Sequence, residues 1–323
     1  MLIHYQNTSE CTHRRFERSV QAAVGITMRQ VYGIWLRFIV GAITVRLRAI
    51  GVRAVIPVLV LNLPHDAERR RWMAGHLGSL DIRYELVEGV DGRVVPEAVA
   101  APHLRSFRKG YGREMTRGEL GCALSHLKLF RRIAAGADEF VCVIEDDISV
   151  SPATLPFLDE EVLRSLPPFD VLRLFSVENR RYKPAWSVAR LQDRSIVVPL
   201  RSSWGTQAQI ITRAGAAKMV DWPITAPIDG IYHDCPPSEL RIMEVRPSLI
   251  RSLDFDSNTL MRRPEQTLWV KLRSEAFRMK RLLLTRMHFV GTWGLSGIIG
   301  LARSRNRPLS QPPIIRVPDT TSP

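Results

Sequence analysis

The stretch 139–150, EFVCVIEDDISV, constrains the fold of this chain more than any other. Phe140 to Ile144 are five residues of the kind that make a buried strand, and they run straight into Glu145, Asp146 and Asp147. Three adjacent carboxylates repel one another, so the end of a core strand is a costly place for them unless solvent or a cation offsets the charge. In an open α/β sheet, ligands bind beyond the carboxyl ends of the strands, where these acids would sit. Hard oxygen ligands suit Mg²⁺ or Mn²⁺, ions that typically bridge to phosphates. An acidic turn capping the next element would use the same residues, so the triplet alone leaves both readings open.

The flanking pattern supplies the rest of such a sheet. IPVLVLNL at 56–63 reads as a buried strand, and DAERRRWMAGHLGSL then sets Met73, Leu77 and Leu80 on one helical face behind an Asp66 cap. IRYELVEGVDG returns as a strand, which completes a βαβ unit. The stretch 94–113 reads as a long functional loop. TRGE is a capping box of Thr116 and Glu119, opening a helix with a stripe of Leu120, Ala123, Leu124, Leu127 and Phe130 that stops before Gly136. Further strands are expected at DVLRLF, SIVVPL and TQAQIIT, then a helix over 214–220. Alternating strands and helices predict a three-layer α/β domain over 56–255, flanked by extensions at 1–55 and 256–323.

Charge matters through its location. The chain of 323 residues carries +14, but 1–55 holds +6 and 241–323 holds +9, which leaves −1 for the middle. The basic ends carry no zinc-finger cysteine spacing and no aromatic-basic RNA-binding motif, so nucleic acid is not the expected partner. An anionic membrane surface is. Apolar and aromatic residues over 26–50 are interrupted by Arg29, Arg37, Arg46 and Arg48, as in a helix lying in a membrane surface. The 16 residues from Met287 to Ala302 lack Lys, Arg, Asp and Glu. As a helix they span roughly 24 Å, short of a hydrocarbon core of roughly 30 Å. Their glycines, Gly291, Gly294, Gly297 and Gly300, would admit a close helix neighbour. An amphipathic cover for the core is the competing use of this segment. Cys11, Cys122, Cys142 and Cys235 show no paired spacing, and no cleavable signal is apparent. Free thiols and a cytoplasmic protein, peripheral on the inner face of the cytoplasmic membrane, are the expectation.

LNLPHDAERR, ELVEGVDGR, GELGCALSHLKLFRRI, VIEDDISV, DVLRL and GTQAQIITRAGAAKM, in that order, resemble the glycosyltransferases of family 25, which include bacterial lipooligosaccharide galactosyltransferases and collagen galactosyltransferases. The resemblance covers about 56–250. It implies a GT-A type nucleotide-sugar transferase fold, three-layer with a mixed sheet, a donor that is usually UDP-galactose, and Mn²⁺ or Mg²⁺ at the acidic motif. The chain departs from the family pattern at Pro64-His65, at Gln209 and at Arg251, positions that bear on donor identity more than on fold.

In glycosyl transfer the leaving group is a nucleoside diphosphate whose charge a cation neutralises as a Lewis acid. Asp147 is the expected metal ligand, with Asp146 or Glu145 assisting. Arg69 and Arg70, on the first helix, are placed to reach nucleotide or phosphate, and Asn62 and Asp91 close the first two strands at the same sheet edge. Each of these four has an equally ordinary use, on a solvated helix face or in a turn. His126 lies at the edge of its helix's apolar stripe, as a core histidine would; the resemblance implies a donor-site role for it and Ser125. It also implies that Asp229, after a Pro and an aliphatic residue, is the base of an inverting transfer to a glycolipid or oligosaccharide acceptor. Asp234 and Glu239 compete for that role, and His233 is a further candidate metal ligand. Two other functions fit the composition: a non-catalytic module binding sugar nucleotide or carbohydrate, and a basic membrane- or nucleic-acid-binding protein whose acids are incidental.

Overall fold

A computed structural model describes residues 55–111, 113–175, 184–234, 236, 239–253, 268–306 and 314–315. The segment 26–50, Cys11 and Cys235 lie outside them. In chain order the elements are β1 (Val58–Asn62), α1 (Ala67–Ser79), β2 (Glu85–Glu88), α2 (Glu97–Tyr111), α3 (Arg117–Ala135), β3 (Phe140–Glu145) and β4 (Ile148–Val150). There follow α4 (Glu160–Ser165), β5 (Val171–Arg173), β6 (Ala185–Leu191), β7 (Arg194–Pro199), β8 (Ala208–Thr212), α5 (Arg213–Ala217), β9 (Ile242–Arg246), β10 (Ile250–Ser252), α6 (Leu268–Asn306) and β11 (Ile314–Ile315).

The central strands are covered on both faces, which is why β1 and β3 read as unbroken apolar runs. Val58, Val60, Phe140, Cys142 and Ile144 share one core with Met73 and Leu77 of α1 and Val162 and Leu163 of α4. Leu59, Leu61, Val141 and Val143 point into a second core with Phe107 of α2 and Leu120, Leu127 and Phe130 of α3. The chain is therefore three-layer α/β. Nine strands lie in the order β11-β6-β7-β9-β5-β8-β3-β1-β2. The sheet is mixed: β3 and β2 run parallel to β1, whereas β8 runs antiparallel to both β3 and β5. That reversal sets the start of β8 beside the end of β3, with Ala208 opposite Ile144. β4 and β10 form a separate two-stranded ribbon.

Three local expectations change. The stretch 94–113 is largely the helix α2, because Ala100 and Phe107 are buried, with Leu104 and Tyr111 packed beside them, a helical spacing that outweighs the interior Pro102. Asp66 stands at the start of α1 but its side chain makes no capping hydrogen bond. At Gly300 the close neighbour of α6 is a strand, whereas Gly291 and Gly294 face open space. Gly294, at φ 55°, breaks α6 into two, and a Cβ on Gly300 would fall 2.4 Å from Trp186 of β6. By contrast, the capping box of α3 is present with both hydrogen bonds.

A buried ion pair holds the segment leading into β8. Arg173 and Glu244 are register partners on β5 and β9, both almost fully buried, with Nη1 3.1 Å from Oε1. Arg173 donates to the carbonyls of Ser203 (2.5 Å), Trp204 (3.1 Å) and Gly205 (2.5 Å). Glu244 accepts from the Ser203 N–H (2.6 Å) and the Ser202 hydroxyl (2.7 Å). Removing one partner of such a pair leaves an uncompensated charge. Glu244→Ala should therefore lower the unfolding free energy by about 3–5 kcal/mol in urea titrations, and Arg173→Met in the same chain should restore much of it; a loss below about 1 kcal/mol would show that the pair does not hold this segment.

Candidate active site

A cavity of about 420 Å³ opens at the carboxyl ends of β1, β2 and β3. Glu145, Asp146 and Asp147 reach it from β3, Asp91 from the loop after β2, Arg69 from α1, and Asp229 from a 3₁₀ turn over Ile228–Gly230. Its far wall depends on a close approach of the β2–α3 segments. A Cβ on Gly92 would lie 1.7 Å from the Arg117 carbonyl oxygen, and one on Gly121 would lie 2.5 Å from the Gly92 nitrogen, so only glycine fits either position. The Ser125 hydroxyl fastens this contact, accepting from the Val90 N–H and donating to the Gly121 carbonyl, both at 2.7 Å.

The four acids meet different fates. Glu145 accepts from the Thr206 hydroxyl at 2.7 Å and lies 3.1 Å from His126 Nε2. Burial works to raise its pKa, but these two partners outweigh burial and hold it below the usual carboxylate range. Asp146 accepts from Asn62 Nδ2 at 2.6 Å and from Arg69 at 3.1 Å; burial still raises it. Asp147 has the Arg69 guanidinium 3.7 Å from one oxygen, while its other oxygen, Oδ1, is buried with no hydrogen-bond partner. Burial, then the charges of Glu145 and Asp146, pushes it up to about 7. Asp229 is raised to about 6 by burial and then by Glu145. Its contact with the Thr206 hydroxyl is long, 3.3 Å, and the single hydroxyl proton is better placed on Glu145. Asp91 lies at the other extreme, brought down to about 2 by the Arg93 guanidinium.

A divalent cation fits this donor set. Asp147 offers an unpartnered buried oxygen and Asp146 a neighbouring carboxylate, and a cation would supply the missing partner while relieving the repulsion that raises Asp147. Cys122, His126 and Glu145 also offer ligand atoms within 4.8 Å of one another. Burial lifts the Cys122 thiol well above its ordinary value, so it is a neutral thiol here.

Of the residues singled out from sequence, Arg69, Asp91, Ser125, Glu145, Asp146, Asp147 and Asp229 line the cavity. Asn62 and His126 do not line it but hold Asp146 and Glu145. Arg70 turns back to brace the β1–α1 turn, donating to Asn62 Oδ1 (3.1 Å) and the Pro64 carbonyl (2.7 Å). His233 is buried away from the cavity with Nδ1 2.5 Å from the Ser202 carbonyl. Asp234 is buried in ion pairs with Arg201 and Arg281, and Glu239 is exposed with its carbonyl accepting from Lys218. Sequence reasoning missed Thr206, Gln207, Arg93 and Cys122. Thr206 carried no local signal, since only the antiparallel pairing of β8 brings it to β3.

An acidic cavity at the strand ends of a mixed three-layer sheet is the architecture of the nucleotide-sugar transferase class. Within that class the chain belongs to glycosyltransferase family 25: the family described as "Glycosyltransferase family 25 (LPS biosynthesis protein)" matches residues 55–232. The chain is 29% identical over 171 residues to a "probable inactive glycosyltransferase 25 family member 3" of Bos taurus and 29% identical over 171 residues to "procollagen galactosyltransferase 1" of Danio rerio, in each case covering 50% of this chain and 28% of the relative. With "procollagen galactosyltransferase 1-B" of Xenopus laevis it shares 34% over 96 residues, 28% of this chain and 16% of that one. The chain thus spans under a third of these relatives' length. Among solved structures, a glycosyltransferase involved in glycosylation of the major capsid of PBCV-1 aligns at a TM-score of 0.33 and 12% identity, covering 70% of this chain and all of that one.

The raised acids make stability pH-dependent. With Asp147 at about 7 and Asp229 at about 6, these two sites bind more protons in the folded than in the unfolded chain above about pH 4, so their contribution to stability falls as pH rises through that window, against an opposite contribution from His288, which burial lowers. In chelator, the urea unfolding free energy should fall from pH 5 to pH 7, by at most about 1.4 kcal/mol per pH unit for each carboxyl. Asp147→Asn should flatten the profile. An Asp147→Asn profile that keeps the wild-type slope would show that Asp147 is not raised.

Proposed function

We propose that this chain is a metal-dependent hexosyltransferase that moves galactose from UDP-galactose, with inversion, to a bacterial lipooligosaccharide or lipopolysaccharide or another surface glycan. The observation that carries the reading is a pair of under-satisfied carboxylates, Asp147 and Asp229, facing one cavity from separate elements. Asp147 and Asp146 would hold Mn²⁺ or Mg²⁺, which when bound acts as a Lewis acid toward the leaving nucleoside diphosphate. Arg69 adds fixed positive charge on the same side. Asp91, ionised and acceptor-only, is suited to donor hydroxyls. Asp229 takes the proton from the acceptor hydroxyl, since its raised pKa makes it the stronger base. Glu145, tied to His126 and Thr206, is committed to holding the site and is not offered as a nucleophile.

A second reading, a module that binds sugar nucleotide without turnover, draws support from the bovine relative's description as probably inactive. A screen of sugar nucleotides with Mn²⁺, following released nucleoside diphosphate alongside donor binding, separates the two. Turnover with UDP-galactose is expected; binding without turnover of any donor establishes the second reading. Asp147→Ala should abolish transfer and metal-dependent donor binding. Asp229→Asn should lower the transfer rate about a hundredfold with donor affinity kept, and a parallel fall in donor affinity would make it a donor contact instead of the base.

The same proposal sets the enzyme on an anionic membrane surface. Among the described residues no helix is long and apolar enough to cross a membrane. α6 buries Arg281, Thr285 and Phe289 on one face, while Met279, Leu283, Met287 and Val290 are about half or more exposed on the other, with Lys280 and Arg286 beside them. Such a helix suits a docked amphipathic element. Leu283→Glu with Met287→Glu should cut sedimentation with phosphatidylserine vesicles about fivefold or more while thermal stability holds, because both side chains lie outside the core; unchanged sedimentation would remove α6 as the contact.

A further inference from the structure

We infer that a groove beside the donor cavity is a subsite for an anionic group, a phosphate monoester or a carboxylate, carried by the acceptor glycan; this rests on the transferase reading above. The β4–β10 ribbon leaves directly from the acids. The Leu253 N–H donates to the Asp147 carbonyl at 2.8 Å, Ser252 pairs with Ile148, and Arg251 pairs with Ser149. Ser252 lines both the donor cavity and a second, larger groove of about 980 Å³. At about 3.4 Å per residue, Arg251 stands roughly 7 Å along the ribbon from the point where Leu253 meets Asp147. One ribbon is therefore the wall between two adjoining spaces.

The two spaces have opposite charge. The donor cavity is lined by Asp66, Asp91, Asp229 and the acidic triplet against Arg69 and Arg93, whereas the described lining of the groove includes Arg194 and Arg251 and no carboxylate. Arg251 is exposed and makes no ion pair among the described residues. Arg194 is mostly buried; its Nε lies 3.3 Å from Asp193, an exposed acid that does not line the groove, and makes no hydrogen bond to it. His76 also lines the groove but lends it no charge, since its Nε2 accepts the Val150 N–H at 2.7 Å. Guanidinium groups pair with the oxygens of phosphate and carboxylate through two parallel hydrogen bonds. An acceptor that passes from the donor cavity over Ser252, which lines both spaces, would meet these guanidinium groups in the groove. A neutral glycan would leave them without partners.

Calorimetry on the full chain tests the subsite with glucose 6-phosphate, glucose and inorganic phosphate as probes, each titrated in saturating UDP and Mg²⁺ so that the donor cavity is filled. UDP binding, measured first, reports on the transferase reading by itself: without it that reading fails, whatever the sugars do. The expected result is that glucose 6-phosphate binds at millimolar concentration, more tightly than glucose or inorganic phosphate. Arg251→Gln should weaken it about tenfold and Arg251→Glu should abolish it. Arg251 is exposed, so both variants should fold, and their UDP binding confirms it. If UDP binds but glucose 6-phosphate does not, or binds the Arg251 variants as tightly as wild type, the subsite is not there. Equal affinity for glucose and glucose 6-phosphate would show that charge is not recognised. Inorganic phosphate binding as tightly as the sugar phosphate would reduce the groove to an anion site without a glycan role.

Discussion

The concentration of negative charge at the end of β3 governs the rest of the molecule. Four carboxylates, Glu145, Asp146, Asp147 and Asp229, share one cavity, and the protein treats them unequally. Glu145 and Asp146 are given dedicated partners from four other parts of the chain: His126 on α3, Thr206 ahead of β8, Asn62 on β1 and Arg69 on α1. Those hydrogen bonds tie the sheet edge together as well as neutralising charge. Asp147 and Asp229 are left under-satisfied, and their raised pKa values are the electrostatic record of that. Two acids are held in place by protein partners, and Asp147 and Asp229 keep the most unfilled hydrogen-bonding capacity.

This arrangement depends on sheet topology at a distance. Had β8 run parallel to β3, the segment 201–207 would have emerged at the opposite edge, and neither Thr206 nor Gln207 would reach the acids. The Glu145 N–H donates to the Gln207 carbonyl at 2.8 Å, extending the ladder to the first acid. Behind this segment, Arg173 and Glu244 act as a buried clamp on its backbone carbonyls and amides. A pair this buried adds little net stability over an apolar substitute, so its value lies in fixing where the chain turns. The second core makes the same connection on the α3 face, where the Gly92–Gly121 approach brings the β2 loop to the helix that carries Ser125 and His126.

What could be read from the sequence follows from how local each feature is. β1 and β3 were readable because a strand buried on both faces leaves an unbroken apolar run, and the Thr116–Glu119 box was readable because its two hydrogen bonds join residues three apart. α2 was not readable: Pro102 and the basic residues around Phe107 mask an apolar spacing that only acquires meaning against α3. Arg69 and Arg70 looked equivalent as neighbours on one helix, yet a 100° rotation per residue sends one into the cavity and the other back to the turn. Asp229, Asp234 and Glu239 likewise looked alike in sequence. Burial among cations consumes Asp234 and exposure isolates Glu239, and neither fact is written in the residues beside them.

Cost separates a transferase from a module that only binds. Burying a carboxylate without full compensation destabilises a fold, and a protein whose sole task is to hold a neutral sugar gains nothing from it. Here the structure supplies two close partners to Glu145 Oε1 and leaves both Asp147 oxygens short of close ones, although Thr, Asn, Arg and His side chains meet at the same site. A cation would compensate Asp147 and would be equally useful to a binding module that holds a nucleoside diphosphate. It would do nothing for Asp229, which approaches the cavity from a different element and has its best hydroxyl donor turned toward Glu145. A buried carboxylate held near neutrality across the cavity from the acidic triplet is the feature that binding alone leaves unexplained, and it weights the proposal toward transfer.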